Sequence, residues 1–197
     1  MPRRSRIVVP GCAHHVTQRG NHRADVFRDD ADRFHYIRLL HEHATAHDVW
    51  LWTYTLMTNH IHLIVVPQSA TALSEAFRNA HSIYGRWFNK KYGLSGHLWQ
   101  GRFYSCVLSE SHLWAAVRYV ERNPVRAGIV DRAEDYRWSS AYSCARKIGP
   151  ASAFRIALDR SRGQLVRVAG GRRHRERTQG DPCRDGEGLS FRGRHLC

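Results

Sequence analysis

Two neighbouring apolar segments, residues 49–57 and 60–66, constrain the fold more than any other part of the chain. Their sequences, VWLWTYTLM and HIHLIVV, are rich in aromatic and β-branched side chains, which favour strands. Only Thr58 and Asn59 separate them, and so short a connection predicts an antiparallel hairpin. Any fold considered for this chain must therefore carry the hairpin in its sheet.

Amphipathic segments flank the hairpin in a definite order. We predict further strands at 13–18 and 103–108, and helices at about 29–47, 71–91 and 111–123. The predicted buried face of the first helix consists of Phe34, Ile37, Leu40 and Ala44. The first six elements follow the order βαββαβ, which predicts an α+β ferredoxin-like sandwich. Its antiparallel sheet would carry helices on one face, and an extra C-terminal helix would follow.

The chain is strongly basic, with 31 Lys and Arg residues against 17 Asp and Glu and a net charge of +14. All but Lys90, Lys91 and Lys147 are arginine, whose planar guanidinium suits phosphate. A GC-rich genome would explain the preference for Arg, but it would not explain the excess charge. The composition therefore predicts a nucleic-acid partner.

The sequence contains no apolar run of membrane-spanning length, and its start lacks the apolar core of a signal peptide. We therefore expect a cytoplasmic protein with no membrane partner. Residues 1–148 are predicted to form one domain. Residues 149–197 are predicted to form a basic, largely disordered tail. The tail would either bind nucleic acid without sequence preference or have no selected role.

His60 and His62 occupy alternate positions of the second hairpin strand. Alternate side chains lie on one face of a sheet, about 7 Å apart along the strand. Two neutral imidazoles placed in this way can converge on one divalent metal ion, which would polarise a phosphate. Alternatively, they are incidental polar residues on a half-exposed strand, and the pair alone is a weak signal for a metal site.

The last predicted helix carries Tyr119 and Asn123 on one face, away from the apolar stripe of Leu113, Val117 and Val120. A tyrosine can act as a covalent nucleophile, and an amide oxygen can complete a metal site that already has two histidines. Alternatively, Tyr119 is a partly buried amphipathic aromatic and Asn123 only a residue at the helix end. Spacing alone favours this second interpretation.

Five motifs occur in order along the chain. They are PRRSRIVVPGCAHHVTQRGNHRADVF (2–27), NHIHLIVVP (59–67), HLWQGRFYS (97–105), RYVERNPVRAGIV (118–130) and YRWSSA (136–141). Together they resemble the REP-associated tyrosine transposases, which belong to the HUH single-tyrosine transposases of bacterial insertion sequences. The resemblance covers roughly residues 2–145, so it is far more specific than the histidine pair alone.

The resemblance implies a metal-dependent transposase that cleaves and rejoins single-stranded DNA containing a hairpin repeat, the REP element. His60 and His62 would bind Mg²⁺ or Mn²⁺, and Asn123 would supply a third ligand. Tyr119 would attack a phosphodiester and become linked to the 5′ phosphate. The implied fold is again the ferredoxin-like sandwich, and the protein would act as a monomer or a homodimer in DNA transposition and recombination.

Seven arginines are candidate DNA contacts. Arg3, Arg4 and Arg6 would form a basic arm that reaches into a groove, or else a solvated, mobile terminus. Arg19, Arg23, Arg102 and Arg126 lie in the motifs near loops, where they would contact phosphates or serve as ordinary surface charge. Two other functions stay open: a non-catalytic protein that binds structured nucleic acid as a regulator, and an HUH relaxase or replication initiator.

Overall fold

The computed structural model describes residues 6–146 and two short strands at 158–159 and 164–165. The main strands are β1 (His14–Arg19), β2 (Val49–Leu56), β3 (His60–Pro67) and β4 (Tyr104–Val107). The helices are α1 (Asp30–Ala46), α2 (Ala72–Tyr92), α3 (Glu110–Glu121), α4 (Asn123–Arg126) and α5 (Ser140–Arg146). The short strands β5 (Leu158–Asp159) and β6 (Gln164–Leu165) pair with each other. Arg3, Arg4 and most of the predicted tail lie outside the described residues.

The four main strands form one sheet in the order β2-β3-β1-β4, and every neighbouring pair is antiparallel. The order confirms the predicted ferredoxin-like sandwich. The predicted hairpin is also present, with Leu56 opposite Ile61. Its turn is closed by a hydrogen bond of 2.9 Å from Met57 N to His60 O.

Helix α1 begins, and helix α2 ends, where the sequence supplies a cap. The Asp29 side chain accepts a hydrogen bond from Asp32 N at the start of α1, and the Asp32 side chain accepts one from Asp29 N. These two bonds form a capping box. At the end of α2, Gly93 adopts the left-handed conformation with φ of +64°, which a residue without Cβ reaches at little cost. The start of α1 and the end of α2 are therefore sharply defined.

One face of α1 differs from the prediction. Phe34 is 54% exposed, and its ring meets the edge of Trp138 at 4.9 Å, so it lies at the rim of the core. Tyr36 is fully buried instead, together with the predicted Leu40 and Ala44. The Tyr36 hydroxyl lies 2.9 Å from Nε2 of His81 on α2. Contact with α2 therefore sets the buried stripe of α1, and a single-helix pattern does not contain that information.

The sheet separates two apolar cores. Leu63 and Val65 of β3 belong to the larger core, which α1 and α2 cover. Ile64 and Val66 point the other way and pack against α3. Since side chains alternate along a strand, His60 and His62 share the face of Ile64 and Val66. Helix α3 therefore covers the face of the sheet that carries the two histidines.

The helix predicted at about 111–123 is divided into two in the structure. Helix α3 ends at Glu121, and Pro124 lies in the first turn of the separate short helix α4. Proline is tolerated there because the first turn needs no N–H donor. Within the part of the chain that the structure describes, no helix has both the length and the apolar character to cross a bilayer.

Candidate active site

His60 and His62 lie side by side at the start of β3. Their ring centroids are 5.0 Å apart and the ring planes are nearly perpendicular, at 84°. His62 is buried, whereas His60 is partly exposed. The Asn59 Oδ1 atom lies 2.6 Å from Nδ1 of His60 and accepts its hydrogen bond. The Nε2 atom of His60 therefore carries the lone pair that a cation would use.

Both imidazoles are held in the neutral form. Burial lowers the pKa of His60 to about 4, and nearby Arg19 lowers it further. Burial also lowers the pKa of His62 to about 2, with smaller contributions from His15, His60 and Arg19. A metal ion binds the neutral form of histidine, so this environment favours ligation over protonation.

Helix α3 places Tyr119 over the histidines. Its ring meets His62 edge-on at a centroid distance of 5.6 Å and meets His15 at 6.0 Å. The ring is partly exposed, so a substrate can approach it. The guanidinium carbon of Arg126, on α4, lies 4.9 Å from the Tyr119 ring centroid, within the range of a cation–π contact.

Asn123 reaches the same place from α4. Although α3 ends before it, the Asn123 side chain hydrogen-bonds to His60 and partly opposes the lowering of the His60 pKa. The structure thus brings together the four side chains predicted for the site, from β3, α3 and α4. The break after Glu121 lets Asn123 turn toward His60 rather than continue along the α3 surface.

Sequence reasoning missed His15 as a member of this cluster. Its Nε2 atom lies 3.1 Å from Nδ1 of His62, and the two rings stack with centroids 5.3 Å apart. Burial lowers the pKa of His15 to about 4. His15 lies two residues before Thr17 on β1, so the two side chains share one face of the sheet. Thr17 pairs with His62 on β3, and this pairing is the signal that could have identified His15. That register joins strands that are far apart in sequence.

The donor atoms fit a divalent cation. Two neutral imidazoles and an amide oxygen form a mixed nitrogen and oxygen set, which leaves coordination positions for water or a phosphate oxygen. Among the described residues, no group of three or more His, Cys, Asp and Glu side chains is arranged to hold an ion. The amide oxygen of Asn123 could supply a third donor beside the two imidazoles.

Two of the candidate arginines border the cluster, and a third lines a nearby pocket. Arg19 lies opposite His60 at the end of β1, and Arg126 covers Tyr119. Arg102 borders an open pocket of about 200 Å³. The pocket is lined by Thr17, Gln18, Arg19, Gln100, Gly101, Arg102 and Tyr104. Because Thr17 pairs with His62, this pocket adjoins the histidine pair.

The other two described arginines are placed differently. Arg23 is exposed beside the hairpin turn, where its carbonyl accepts a hydrogen bond of 3.0 Å from Asn59 Nδ2. Arg6 donates from Nε to Phe103 O at 3.1 Å, and its guanidinium lies 3.9 Å from the centre of the Phe103 ring. Phe103 packs on Phe77 of α2, so Arg6 lies on the opposite side of the sheet from His62. The structure does not bring Arg6 to the site.

Comparison with known proteins identifies the class. Residues 8–123, more than half of the chain, match the model of the IS200-like transposase family. The chain therefore belongs to the IS200-like transposases, which implies a DNA-cleaving enzyme with a role in transposition. The resemblance found in the five sequence motifs is confirmed.

One solved structure supports the fold. A REP-associated tyrosine transposase bound to a REP hairpin aligns with a TM-score of 0.62 and 17% identity, over 89% of this chain and 100% of that chain. A Deinococcus radiodurans R1 protein provisionally named a transposase aligns with a TM-score of 0.42 and 18% identity, over 62% of this chain and 97% of that chain. No protein of curated function matches the sequence.

Proposed function

We propose that this protein is a metal-dependent transposase of the HUH type that cleaves and rejoins single-stranded DNA, with Tyr119 as the nucleophile. The observation that carries the proposal is the edge-on contact of Tyr119 with His62 at 5.6 Å. It joins a nucleophilic side chain to a pair of neutral imidazoles on a basic protein. His60, His62 and Asn123 would hold Mg²⁺ or Mn²⁺.

In the cleavage step, the Tyr119 hydroxyl oxygen attacks phosphorus and the bond from phosphorus to the 3′ oxygen breaks. The products are a 5′-phosphotyrosine and a free 3′ hydroxyl. The phenol gives up its proton as the new bond forms, and the departing oxygen takes up a proton. When bound, the divalent ion supplies positive charge at the scissile phosphate. Attack by a 3′ hydroxyl on the phosphotyrosine reverses the step, so rejoining needs no external energy source.

Charged residues next to Tyr119 would position the substrate. Arg126 lies over the Tyr119 ring, where it restrains the ring and offers hydrogen-bond donors to a phosphate. Arg19 lies beside His60 and would contact a neighbouring phosphate. Both side chains add positive charge where the negative charge of the transition state develops.

The open pocket beside Thr17, the strand partner of His62, offers a path for a single strand. Arg102 borders this pocket, where it would contact a phosphate of that strand. Tyr104 is 56% exposed at the pocket, and an exposed ring of this kind can stack on an unpaired base. Arg23, beside the hairpin turn, would bind the backbone farther along.

Hairpin-containing repeat DNA is the substrate that we propose. The net charge of +14 favours nucleic acid, and the REP-associated tyrosine transposase of the same fold is bound to a REP hairpin. We further propose that the protein acts in the cytoplasm as a monomer or homodimer. Residues 1–148 would form the transposase domain, and residues 149–197 a basic tail.

Incubation with labelled hairpin oligonucleotides and Mn²⁺ tests the proposed function. We expect a covalent adduct and a cleaved strand from the wild type and neither from Tyr119→Phe, with DNA binding retained. Tyr142→Phe is the matched control, because Tyr142 also carries an arginine, Arg146, at 4.7 Å from its ring centroid. That variant should cleave normally.

Chelation distinguishes a cleaving enzyme from a non-catalytic binding protein. Removal of the metal with EDTA should abolish cleavage, while binding should persist and weaken with increasing salt. If the wild type forms no adduct with any REP-like hairpin in the presence of Mn²⁺, the protein is not a tyrosine transposase of this kind.

A further inference from the structure

His62 and His60 each have a partner at Nδ1, but the two partners differ in kind. The partner of His60 is the Asn59 amide oxygen at 2.6 Å, and an oxygen of this type can only accept. The partner of His62 is Nε2 of His15 at 3.1 Å, and an imidazole nitrogen can donate or accept. The proton on His62 therefore depends on His15, whereas the proton on His60 is fixed by its amide neighbour.

Only one direction of the bond between the two histidines leaves His62 able to bind a cation through Nε2. If Nδ1 of His62 donates to His15, Nε2 of His62 keeps its lone pair. If Nε2 of His15 donates instead, His62 carries its proton on Nε2, and that atom cannot coordinate a metal. The first arrangement also gives His62 the same tautomer as His60.

We propose that His15 is a positioning residue: it accepts a hydrogen bond from His62 Nδ1–H and so keeps the Nε2 lone pair of His62 directed into the site. That Nε2 of His62 binds a metal ion rests on the proposed function, whereas the tautomer of His62 is independent of it. Partners of this kind, one step removed from a metal, orient imidazole ligands and set their proton positions.

The surroundings of His15 suit this role. The rings of His15 and His62 are nearly parallel, at 14°, and strands β1 and β3 hold both backbones in register. Tyr119 contacts both rings from above, at 6.0 Å for His15 and 5.6 Å for His62. His15 therefore supports the metal-binding imidazole and the nucleophile at the same time.

Two variants of the full-length protein separate a positioning role from simple packing. His15→Leu removes the hydrogen-bond acceptor and replaces the imidazole with an apolar side chain of moderate size. His15→Gln keeps an oxygen that can accept from His62. His97→Leu serves as the control, since His97 is exposed and its loss tests nonspecific Mn²⁺ binding. Circular dichroism establishes that each protein is folded before binding is measured.

Mn²⁺ affinity, measured by calorimetry without DNA, is the first readout. We expect His15→Leu to weaken Mn²⁺ binding by about 10- to 100-fold, the usual cost of losing such a partner. His15→Gln should recover most of the affinity, and His97→Leu should match the wild type. Equal affinities for His15→Leu and the wild type would overturn the inference.

Long-range ¹⁵N–¹H NMR of His62 in the metal-free wild type is the second readout. We expect a proton on Nδ1 and a lone pair on Nε2, and a shift toward the other tautomer in His15→Leu. A proton on Nε2 in the wild type would overturn the inference even if the variant does not fold. If the wild type binds no Mn²⁺, the proposed function fails, and the tautomer of His62 alone decides the role of His15.

Discussion

The sheet face under α1 and α2 is closed by a large apolar core, whereas the face under α3 combines a small core with the polar cluster around His62. Each face contains a buried histidine with a strongly lowered pKa. On the α2 side, His81 bonds to the Tyr36 hydroxyl at 2.9 Å, and its ring lies 4.8 Å from that of Trp99. On the α3 side, His62 meets other histidines and Tyr119.

The comparison shows that burial and a lowered pKa do not identify a functional histidine. Burial lowers the pKa of His81 to about 3 and that of His62 to about 2. The two histidines differ in their neighbours. Aromatic rings and one hydroxyl group surround His81, whereas His62 lies beside Tyr119 and His60, which are partly exposed and chemically reactive. His81 is a structural residue, and His62 belongs to the candidate site.

Exchanging the two histidines for alanine should therefore have opposite consequences, and the first gives the largest effect. His62→Ala should weaken Mn²⁺ binding by more than about 100-fold, beyond the cost of losing an outer partner, and abolish cleavage. His81→Ala should leave Mn²⁺ affinity of the folded protein unchanged but destabilise it by about 2–4 kcal/mol, through a cavity and an unpaired Tyr36 hydroxyl. Calorimetry and urea denaturation of both variants measure the two effects.

Truncating one leucine in each core should also have different effects on stability and on cleavage. Leu63 is fully buried in the larger core, so Leu63→Ala should lower the free energy of unfolding by about 3–5 kcal/mol. Leu113 is 5% exposed in the smaller core, so Leu113→Ala should cost nearer about 2 kcal/mol. Because Leu113 anchors the helix of Tyr119, only the second variant should slow cleavage per folded molecule. Equal cleavage rates would show that α3 does not need this anchor.

On both faces, the sequence predicted local features better than contacts between distant segments. Apolar periodicity located the hairpin and α2, and alternation along β3 put His60 and His62 together, since both patterns are local. The side of the sheet that α3 covers, the pairing that brings His15 to His62, and the exposure of Phe34 all depend on contacts between distant segments. A single sequence contains no direct record of such contacts, so these features emerged only from the structure.

Acid should destabilise the protein through His81. Its pKa is lower in the folded protein than the ordinary value of 6.5, mainly because of burial, so below pH 6.5 the unfolded chain binds more protons. Stability is therefore lost as the pH falls from 6.5 toward 3. The contribution of His81 should reach about 1 kcal/mol at pH 5.5.

Urea denaturation of the wild type and His81→Gln at pH 7.5 and 5.5 isolates this contribution, because the other histidines are common to both proteins. The variant should lose less stability than the wild type over this interval. Equal losses in the two proteins would mean that His81 is protonated in the folded state at pH 5.5.

The smallest effect concerns the cation over the nucleophile. Arg126→Gln removes a guanidinium that lies 4.9 Å from the Tyr119 ring centroid, a contact worth about 0.5–1 kcal/mol at a partly exposed site. If the contact only restrains the ring, cleavage should slow by about two- to fivefold. A much larger loss would mean that Arg126 also binds the scissile phosphate, since a charged hydrogen bond to phosphate contributes more.

Arg146→Gln removes the equivalent cation from Tyr142 and should leave the cleavage rate unchanged, because that pair lies on α5 and not beside the histidines.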